Sequence, residues 1–407
     1  MKPAALKQTS LVESLFDPSN SLIAFSLAIG IVYAAVPFLA YTALPLGEAY
    51  VKLAIMTAAT IAAMFIGSRI HLFDYRFTGV ARRISISRGT FILVTWIVFL
   101  LFIVVTFATA PSIPFISALK GISSNELSQE RGEFLKGREG AGIILLYLGA
   151  ILVSTVVPYS IILLYSIKSK LRHFSSALFF LFCISFMQKA LFLNLLLPLL
   201  AYMAIKRKLP SRIFIFIIGG AVALLFVTTL LSLGSESTYS NSDSSDYLSA
   251  LYIPTGPAEY LIWRAVAVPI FTATDTLVVH AEQFGSNLLM GATSSLLSGI
   301  IGVERINLER FVFEHQFGGW NDTANANAVF ITDIFVNFGW VGIIFFGVFV
   351  GLIFRWFNIS QDIAFKSLWP LFAFGLFNAT LIGMLFSNGF LYMIFHCLFV
   401  RVRMRDN

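Results

Sequence analysis

The stretch EHQFGGWNDTANANAVFITDIFVNFGWVGIIFFGVFVGLIFRWF, from Glu314 to Phe357, joins a polar, Asn-rich first part to an apolar second part. The apolar run extends from Phe335 to Phe354 and is closed by Arg355. A run of about 20 apolar residues is long enough to cross a bilayer as a helix. The sequence therefore predicts a transmembrane helix that begins inside a polar site, which is typical of membrane enzymes and transporters.

Apolar blocks recur along the whole chain of 407 residues, of which 58% are hydrophobic and 12% charged, with a mean hydropathy of +0.85. This composition indicates a polytopic membrane protein and excludes an ordinary soluble domain. We expect an all-α fold that forms a single membrane domain over residues 1–407. About ten transmembrane helices are predicted, at roughly 21–41, 48–66, 89–109, 141–165, 175–187, 190–205, 213–233, 336–354, 368–386 and 388–400.

The distribution of charge orients these helices, because Lys and Arg concentrate on the inner side of a membrane protein. With both termini inside, 19 of the 28 Lys and Arg residues fall on the inner side and 16 of the 21 Asp and Glu residues on the outer side. The positive net charge is thus a topology signal and gives no indication of nucleic-acid binding. Two outer loops result, at 110–140 and 234–328, and a connection as long as the second is usually functional.

The cations that remain on the predicted outer side are candidate ligands for an anionic substrate. Lys189 lies between two short apolar runs, where an intramembrane cation is a functional candidate or a lysine that reaches to the interface from a tight turn. Arg264 is alone in an apolar segment, and its planar, permanently charged fork suits pyrophosphate, with lipid headgroups as the alternative. Arg131 belongs to the run QERGEFLKGREG, which also fits a solvated amphipathic helix. The full outer set is Lys52, Lys120, Arg131, Lys136, Arg138, Lys189, Arg264, Arg305 and Arg310.

Two residues of the opening stretch are candidates for acid–base chemistry. Asp333 lies at the mouth of the predicted helix, where burial would raise the pKa of a carboxyl group; the alternative is a carboxylate that stabilises the helix N-terminus. His315 is a candidate base or an ordinary surface histidine. The sequence contains no spacing typical of metal ligands, and both cysteines lie in apolar runs, so we expect neither a metal nor another cofactor.

At these residues the chain resembles a family. The run from Thr323 to Phe354 is similar to the signature of bacterial O-antigen and oligosaccharide repeat-unit polymerases (Wzy-type), in which an Asn- or Pro-bearing segment leads into an acidic helix mouth and an aromatic–Gly–x–x–Gly. The matching positions are Asn325, Asn327, Asp333, Phe338, Gly339 and Gly342. Weaker matches are the charged loop with Arg131 and Gly142, the short hairpin with Lys189, and the segment WRAVAVPIF with Arg264. Ten residues separate Arg131 from Gly142, and no second Arg and Gly with this spacing begin at Arg264, Arg305 or Arg310.

The resemblance implies a bundle similar to the GT-C glycosyltransferases and a metal-independent enzyme in the bacterial inner membrane. Such an enzyme moves a growing glycan from undecaprenyl pyrophosphate onto a lipid-linked repeat unit at the periplasmic face, with a chain-length regulator as a protein partner and membrane lipid around it. Arg264, Lys189 and Arg131 would hold pyrophosphate. Asp333 or His315 would be the base, and Asn325, Asn327 and Asp322 would bind sugar hydroxyls.

Two alternatives stay open. One is a transferase resembling O-antigen ligases, which uses the same donor with lipid A core as the acceptor. The other is a transporter, such as a lipid-linked oligosaccharide flippase. The long outer loop and the lack of internal repeats argue against the second alternative.

Overall fold

The computed structural model describes residues 11–78, 84–122, 126–127, 130, 134, 142–185, 191–206, 219–220, 247–319 and 324–403. Its longer helices are α1 (Pro18–Ala43), α2 (Ala49–Gly67), α3 (Arg88–Thr109), α4 (Ile144–Ser166), α5 (Arg172–Ser185), α6 (Leu193–Ile205), α7 (Pro257–Phe284), α8 (Leu308–Phe317), α9 (Phe330–Ile359), α10 (Trp369–Asn378) and α11 (Phe390–Phe399). Short helices lie at Leu11–Phe16, Asp74–Phe77, Pro114–Leu119, Ser295–Ile301, Ile363–Lys366 and Leu381–Leu385. Two short strands, β1 (Ile84–Ser87) and β2 (Val400–Arg403), pair in parallel.

Within these described ranges, six helices are long and apolar enough to cross a membrane: α1, α2, α3, α4, α7 and α9. The predicted class, a helical multi-pass membrane protein, is therefore confirmed, while the number of ten spans stays a prediction. Helices α5, α6, α10 and α11 are apolar but only 10 to 14 residues long, which is about 15–21 Å against a bilayer core of about 30 Å. The predicted span 213–233 lies outside the described residues except for 219 and 220.

Helix α7 is the main difference from the sequence-based organisation, which assigned 234–328 to one outer loop. The helix has 28 residues and is long and apolar enough to span a membrane. Its charged residues, among them Arg264 and Asp275, lower its hydropathy to 1.4, the lowest of the six candidates. This is why the hydropathy of Tyr260–Phe284 indicated only a segment that lies on or dips into the membrane surface, within the outer loop. Its C-terminal half lies against the first turns of α2, around Lys52 and Ile55.

Helices α2 and α9 form the tightest pair of the bundle and run in the same direction. Gly347 of α9 meets Ala63, and Gly351 meets the backbone of Met64. Small residues four apart on both helices allow their backbones to approach this closely. At the far end of the pair, the Arg355 guanidinium donates to both carboxylate oxygens of Asp74. The two ends of the bundle are called here the Lys52 end, where α2 begins, and the Arg355 end.

Helices α1 and α4 each contain a proline that interrupts the backbone hydrogen bonds of the helix. A turn of π-helix precedes Pro37 in α1 and Pro158 in α4. Proline has no N–H, so a carbonyl one turn earlier loses its donor. In α1 the hydroxyl of Thr57 is shared between the freed carbonyl of Tyr33, at 3.1 Å, and the carbonyl of Leu53 in its own helix, at 2.8 Å. In α4 the side-chain amide of Asn194, on α6, donates to the carbonyl of Val153 at 3.2 Å. Side chains of neighbouring helices therefore donate to carbonyls near both prolines.

Helix α9 is broken at Gly339, although the sequence predicted an uninterrupted span over 336–354. Gly339 has φ 63° and ψ −154°, a combination that is accessible essentially to glycine alone. A methyl group on Gly342 would lie 3.2 Å from the carbonyl oxygen of Ile334, which a straight helix would place about 12 Å away along the axis. The segment Phe330–Phe338 therefore folds back against the segment that follows it.

Candidate functional site

The carboxylate of Asp333 is buried just before the break in α9, with 8% of the residue exposed. The hydroxyl of Thr293 donates to Asp333 Oδ1 at 3.0 Å. The amide nitrogen of Asn337, one turn further along α9, donates to the same Oδ1 at 3.2 Å and to Thr293 Oγ1 at 2.8 Å. Two side chains from two segments thus orient one carboxylate oxygen and leave the other for a further partner.

The break at Gly339 is what brings Thr293 to this carboxylate. In a continuous helix the carbonyls of Val336 and Asn337 would accept N–H groups four residues later. Here they accept instead from the backbone of Leu289 and Met290, both at 3.0 Å. The loop that precedes Thr293 is thereby held against α9. The surroundings of the buried Asp333 carboxylate therefore depend on the backbone conformation at Gly339.

A small cavity lies between Asp333 and Glu309 of α8. Its volume is about 10 Å³, which is room for about one water molecule. Asn327, Thr276 and Thr332 add polar lining. Hydroxyl, amide and carboxyl groups therefore line the cavity beside the Asp333 carboxylate.

Part of the Glu309 carboxyl group is buried beside this cavity. One of its carboxylate oxygens is buried and has no hydrogen-bond partner among the described residues. Burial raises the pKa of the Glu309 carboxyl, and nearby Arg305 opposes the rise only in part. Two carboxyl groups that share a confined space are not both ionised at low cost. One of the two groups, Asp333 or Glu309, is therefore expected to hold a proton.

A much larger groove opens at the Lys52 end, between α1, α2 and α7. Its volume is about 690 Å³. The charged residues that line it are Lys52 and Glu48. The ammonium of Lys52 lies 4.3 Å from the centroid of the Phe335 ring. Apolar and aromatic side chains form most of the rest, among them Phe38, Tyr41, Ile55, Leu277, Val278 and Trp340.

The groove and the small cavity are neighbours. Thr276 lines the cavity, whereas the next residues of α7, Leu277 and Val278, line the groove. On α9, Asp333 faces the cavity and Phe335 contacts Lys52. The cavity and the groove therefore lie on different faces of the same turns of α7 and α9.

The Asn-rich segment is tied to α8 in front of this carboxylate. The backbone N–H of Ala326 donates to the carbonyl of Glu309 at 3.0 Å, and Arg310 donates to the carbonyl of Ala324 at 3.3 Å. Asn325 is exposed and its side-chain oxygen accepts from Asn307 at 3.4 Å. Asn327 lines the cavity. Of the predicted sugar ligands, Asn327 is thus beside Asp333.

His315 is exposed on α8, and its electrostatic neighbour is Asp275 of α7. Gln316, the next residue, donates to Asp275 Oδ2 at 2.8 Å. The two predicted bases, Asp333 and His315, therefore belong to different surroundings. Asp333 is enclosed, whereas His315 faces outward.

Arg264 is exposed on α7, 13 residues before Leu277, which is about 20 Å along the helix axis. Glu259, the acidic residue five positions before Arg264, accepts hydrogen bonds from Tyr252 and Thr255. The structure therefore does not bring Arg264 to the groove or to Asp333. The other predicted residues, Lys189, Arg131 and Asp322, lie outside the described residues.

Several residues of this site were not singled out from the sequence. Lys52 was only one of nine outer cations, and Asn337 shares a helix face with Asp333 four residues away, which was the available signal. Thr293 and Glu309 gave no local signal, because each reaches the site from a distant segment. Across the described ranges, no group of three His, Cys, Asp or Glu residues is placed as metal ligands would be.

Comparison of the chain with protein-family models, with curated proteins and with solved structures finds no match.

Proposed function

We propose that this chain is a membrane glycosyltransferase of the O-antigen polymerase type. It transfers a growing glycan from undecaprenyl pyrophosphate onto a sugar hydroxyl of a lipid-linked repeat unit, at the periplasmic face of the bacterial inner membrane. The observation that carries the proposal is the buried carboxylate of Asp333, oriented by Thr293 and Asn337 at the break of a membrane helix. The resemblance of the surrounding sequence to this family gives the substrate class.

The reaction needs a base and a stabilised leaving group. The acceptor hydroxyl oxygen forms a bond to the anomeric carbon of the donor glycan, and the bond from that carbon to the pyrophosphate oxygen breaks with its electron pair. The hydroxyl proton passes to Asp333, which lines the cavity. A positioned base of this kind contributes about 10²–10⁴ in rate, and a nearby cation stabilises the departing pyrophosphate.

The acceptor reaches Asp333 only by displacing what closes the cavity. The cavity admits about one water molecule, so a sugar ring requires movement of the segment 324–329 away from α8. Two hydrogen bonds hold that segment, from Ala326 to Glu309 and from Arg310 to Ala324. Asn327 lies on the same segment and would meet the sugar as it enters.

A second candidate is a transporter of lipid-linked oligosaccharides. A broken membrane helix and buried carboxyl groups are also the features of substrate and ion sites in secondary transporters. An O-antigen ligase activity differs from the first proposal only in the acceptor, so the same donor assay with lipid A core added distinguishes it.

The test uses the full chain, purified and supplied with a polyprenyl-pyrophosphate-linked oligosaccharide repeat, with and without a chelator. We expect a ladder of glycan products that the chelator leaves unchanged. Asp333→Asn keeps an oxygen that can accept from Thr293 and Asn337, so it should fold normally and lose about 10²–10⁴ in rate. Asp275→Asn is the matched control, since it makes the same change on neighbouring α7 and should retain the ladder.

Other results would contradict this assignment. A ladder that survives Asp333→Asn and is lost in His315→Ala would make His315 the base, with Asp275 as its partner. Failure of a validated substrate to give a ladder, together with its passage across liposomes that contain the chain, would establish the transporter.

A further inference from the structure

The groove at the Lys52 end has the dimensions of a ligand site and the lining of a lipid site. Its volume of about 690 Å³ falls within the range of about 300–1,000 Å³ that is usual for small-molecule pockets. Aromatic and branched aliphatic side chains dominate its walls, and several of them, such as Phe38 and Ile55, are more than half exposed. A groove of this size and lining fits a hydrocarbon chain.

Lys52 is placed where a lysine has an unfavourable electrostatic environment. It is the fourth residue of α2, and a cation in the first turn of a helix is repelled by the positive end of the helix dipole. It is half-buried, and it forms no ion pair with any described residue, although Glu48 lies one turn earlier. Its ammonium instead lies over the Phe335 ring. An anion bound beside Lys52 would remove the repulsion and would itself be favoured at this end of α2.

Phe335 connects this position to the proposed chemistry. The ring contacts Lys52, and Asp333 lies two residues earlier on the same helical segment. The two side chains lie on different faces of that segment, because residues two apart on a helix do not face each other. A phosphate at Lys52 and the carboxylate of Asp333 are therefore linked through the backbone of one short segment.

From the groove and its single lysine we infer that this is the binding site for the phosphate and the first isoprene units of a polyprenyl-phosphate lipid. Lys52 contacts the phosphate, and the walls formed by α1, α7 and Trp340 hold the hydrocarbon chain. The inference rests on the proposed function for the identity of the lipid. It assigns to Lys52 the part that the sequence suggested for Arg264.

Glu48 allows a test of whether the ligand bound beside Lys52 carries a negative charge. Its carboxylate also lines the groove and is exposed at the rim. If the ligand carries a phosphate, Glu48 opposes binding and Lys52 favours it. Removal of the two charges should therefore have opposite effects on affinity, which a general loss of folding cannot produce.

The experiment measures binding without turnover. The full chain in detergent is mixed with polyprenyl monophosphate, with the neutral polyprenol of the same length, or with phosphatidylglycerol, and complexes are quantified by native mass spectrometry. We expect polyprenyl phosphate to bind most tightly. Lys52→Ala should weaken it at least about tenfold, since a hydrogen bond to a charged group contributes about 1.5–3 kcal/mol. Glu48→Gln should tighten binding, and Ala281→Trp, which fills the groove, should abolish it.

Lys170→Ala is the control, because Lys170 is an exposed lysine in the turn between α4 and α5 and should bind like the unmodified chain. Equal binding of phosphatidylglycerol, with the same response to Lys52→Ala, would show a general phospholipid site and overturn the inference. Equal binding of polyprenol and polyprenyl phosphate would remove the role of Lys52. Intact lipid binding with no glycan ladder would contradict the proposed function and leave the lipid site standing.

Discussion

Replacing Gly351 by alanine places a methyl group in the contact between α2 and α9. The added carbon would lie 1.9 Å from the carbonyl oxygen of Met64 and 2.7 Å from its carbonyl carbon. Ordinary contact begins at 3.4 Å, so the two helices must move apart by about 1.5 Å. Neither obstacle is a side chain that could rotate away, because both atoms belong to the backbone.

The size of the effect follows from this geometry. Overpacking a well-packed contact costs about 1–3 kcal/mol, and a gap of about 0.5–1 Å already removes a quarter to a half of the dispersion energy between facing atoms. We therefore expect Gly351→Ala to lower the free energy of unfolding by about 3 kcal/mol. Because α2 carries Lys52 and α9 carries Asp333, lipid binding and glycan transfer should decline together.

The assay is unfolding of the purified protein in detergent, followed by helical circular dichroism. Gly299→Ala is the matched control. It makes the same change in the short helix Ser295–Ile301, where the added methyl group meets nothing within 4 Å, and alanine is favoured over glycine in a helix by about 0.5–1 kcal/mol. The two substitutions should shift stability in opposite directions. If Gly351→Ala is as stable as Gly299→Ala, the close approach of α2 and α9 is refuted.

Three further predictions concern single features of the fold. Gly339→Ala should destabilise the protein by about 1–3 kcal/mol, because alanine is strained at φ 63° and ψ −154°; a change below 0.5 kcal/mol in the same unfolding assay would contradict the break in α9. Thr57→Val should cost about 1–3 kcal/mol by leaving the Tyr33 carbonyl without its donor, whereas Thr57→Ser should retain most of the stability. The hydrogen bond from the Arg355 guanidinium lowers the pKa of Asp74, so the stability from this pair is present above the ordinary Asp pKa of about 4 and is lost as pH falls through the lower, folded-state pKa. Stability measured from pH 7 downward should therefore fall less steeply in Asp74→Asn, and an unchanged pH profile would show that the pair contributes nothing.

The class of the protein and much of its helix order could be predicted from the sequence. Continuous apolar runs predict α1 to α4 within a few residues, because the requirement to satisfy every backbone polar group inside a bilayer leaves long helices as the simple solution. The same reasoning predicted only a segment at the membrane surface for α7 and not a span, since Arg264, Asp275 and other charged residues lower its hydropathy. It also predicted an unbroken span across Gly339, because an apolar run does not reveal which backbone angles a glycine within it adopts.

For the candidate site, the sequence by itself determined that a carboxylate, Asp333, stands where a polar segment enters a membrane helix. Only the tertiary structure decided which groups surround it. Thr293 arrives through a loop held by carbonyls that the break at Gly339 leaves free, and Glu309 arrives from α8. Lys52, rather than Arg264, lies in the large groove and contacts Phe335 of α9, because α2 packs against α9. A sequence gives the type of each residue directly, whereas the electrostatic surroundings of a buried group depend on contacts between segments far apart in the chain.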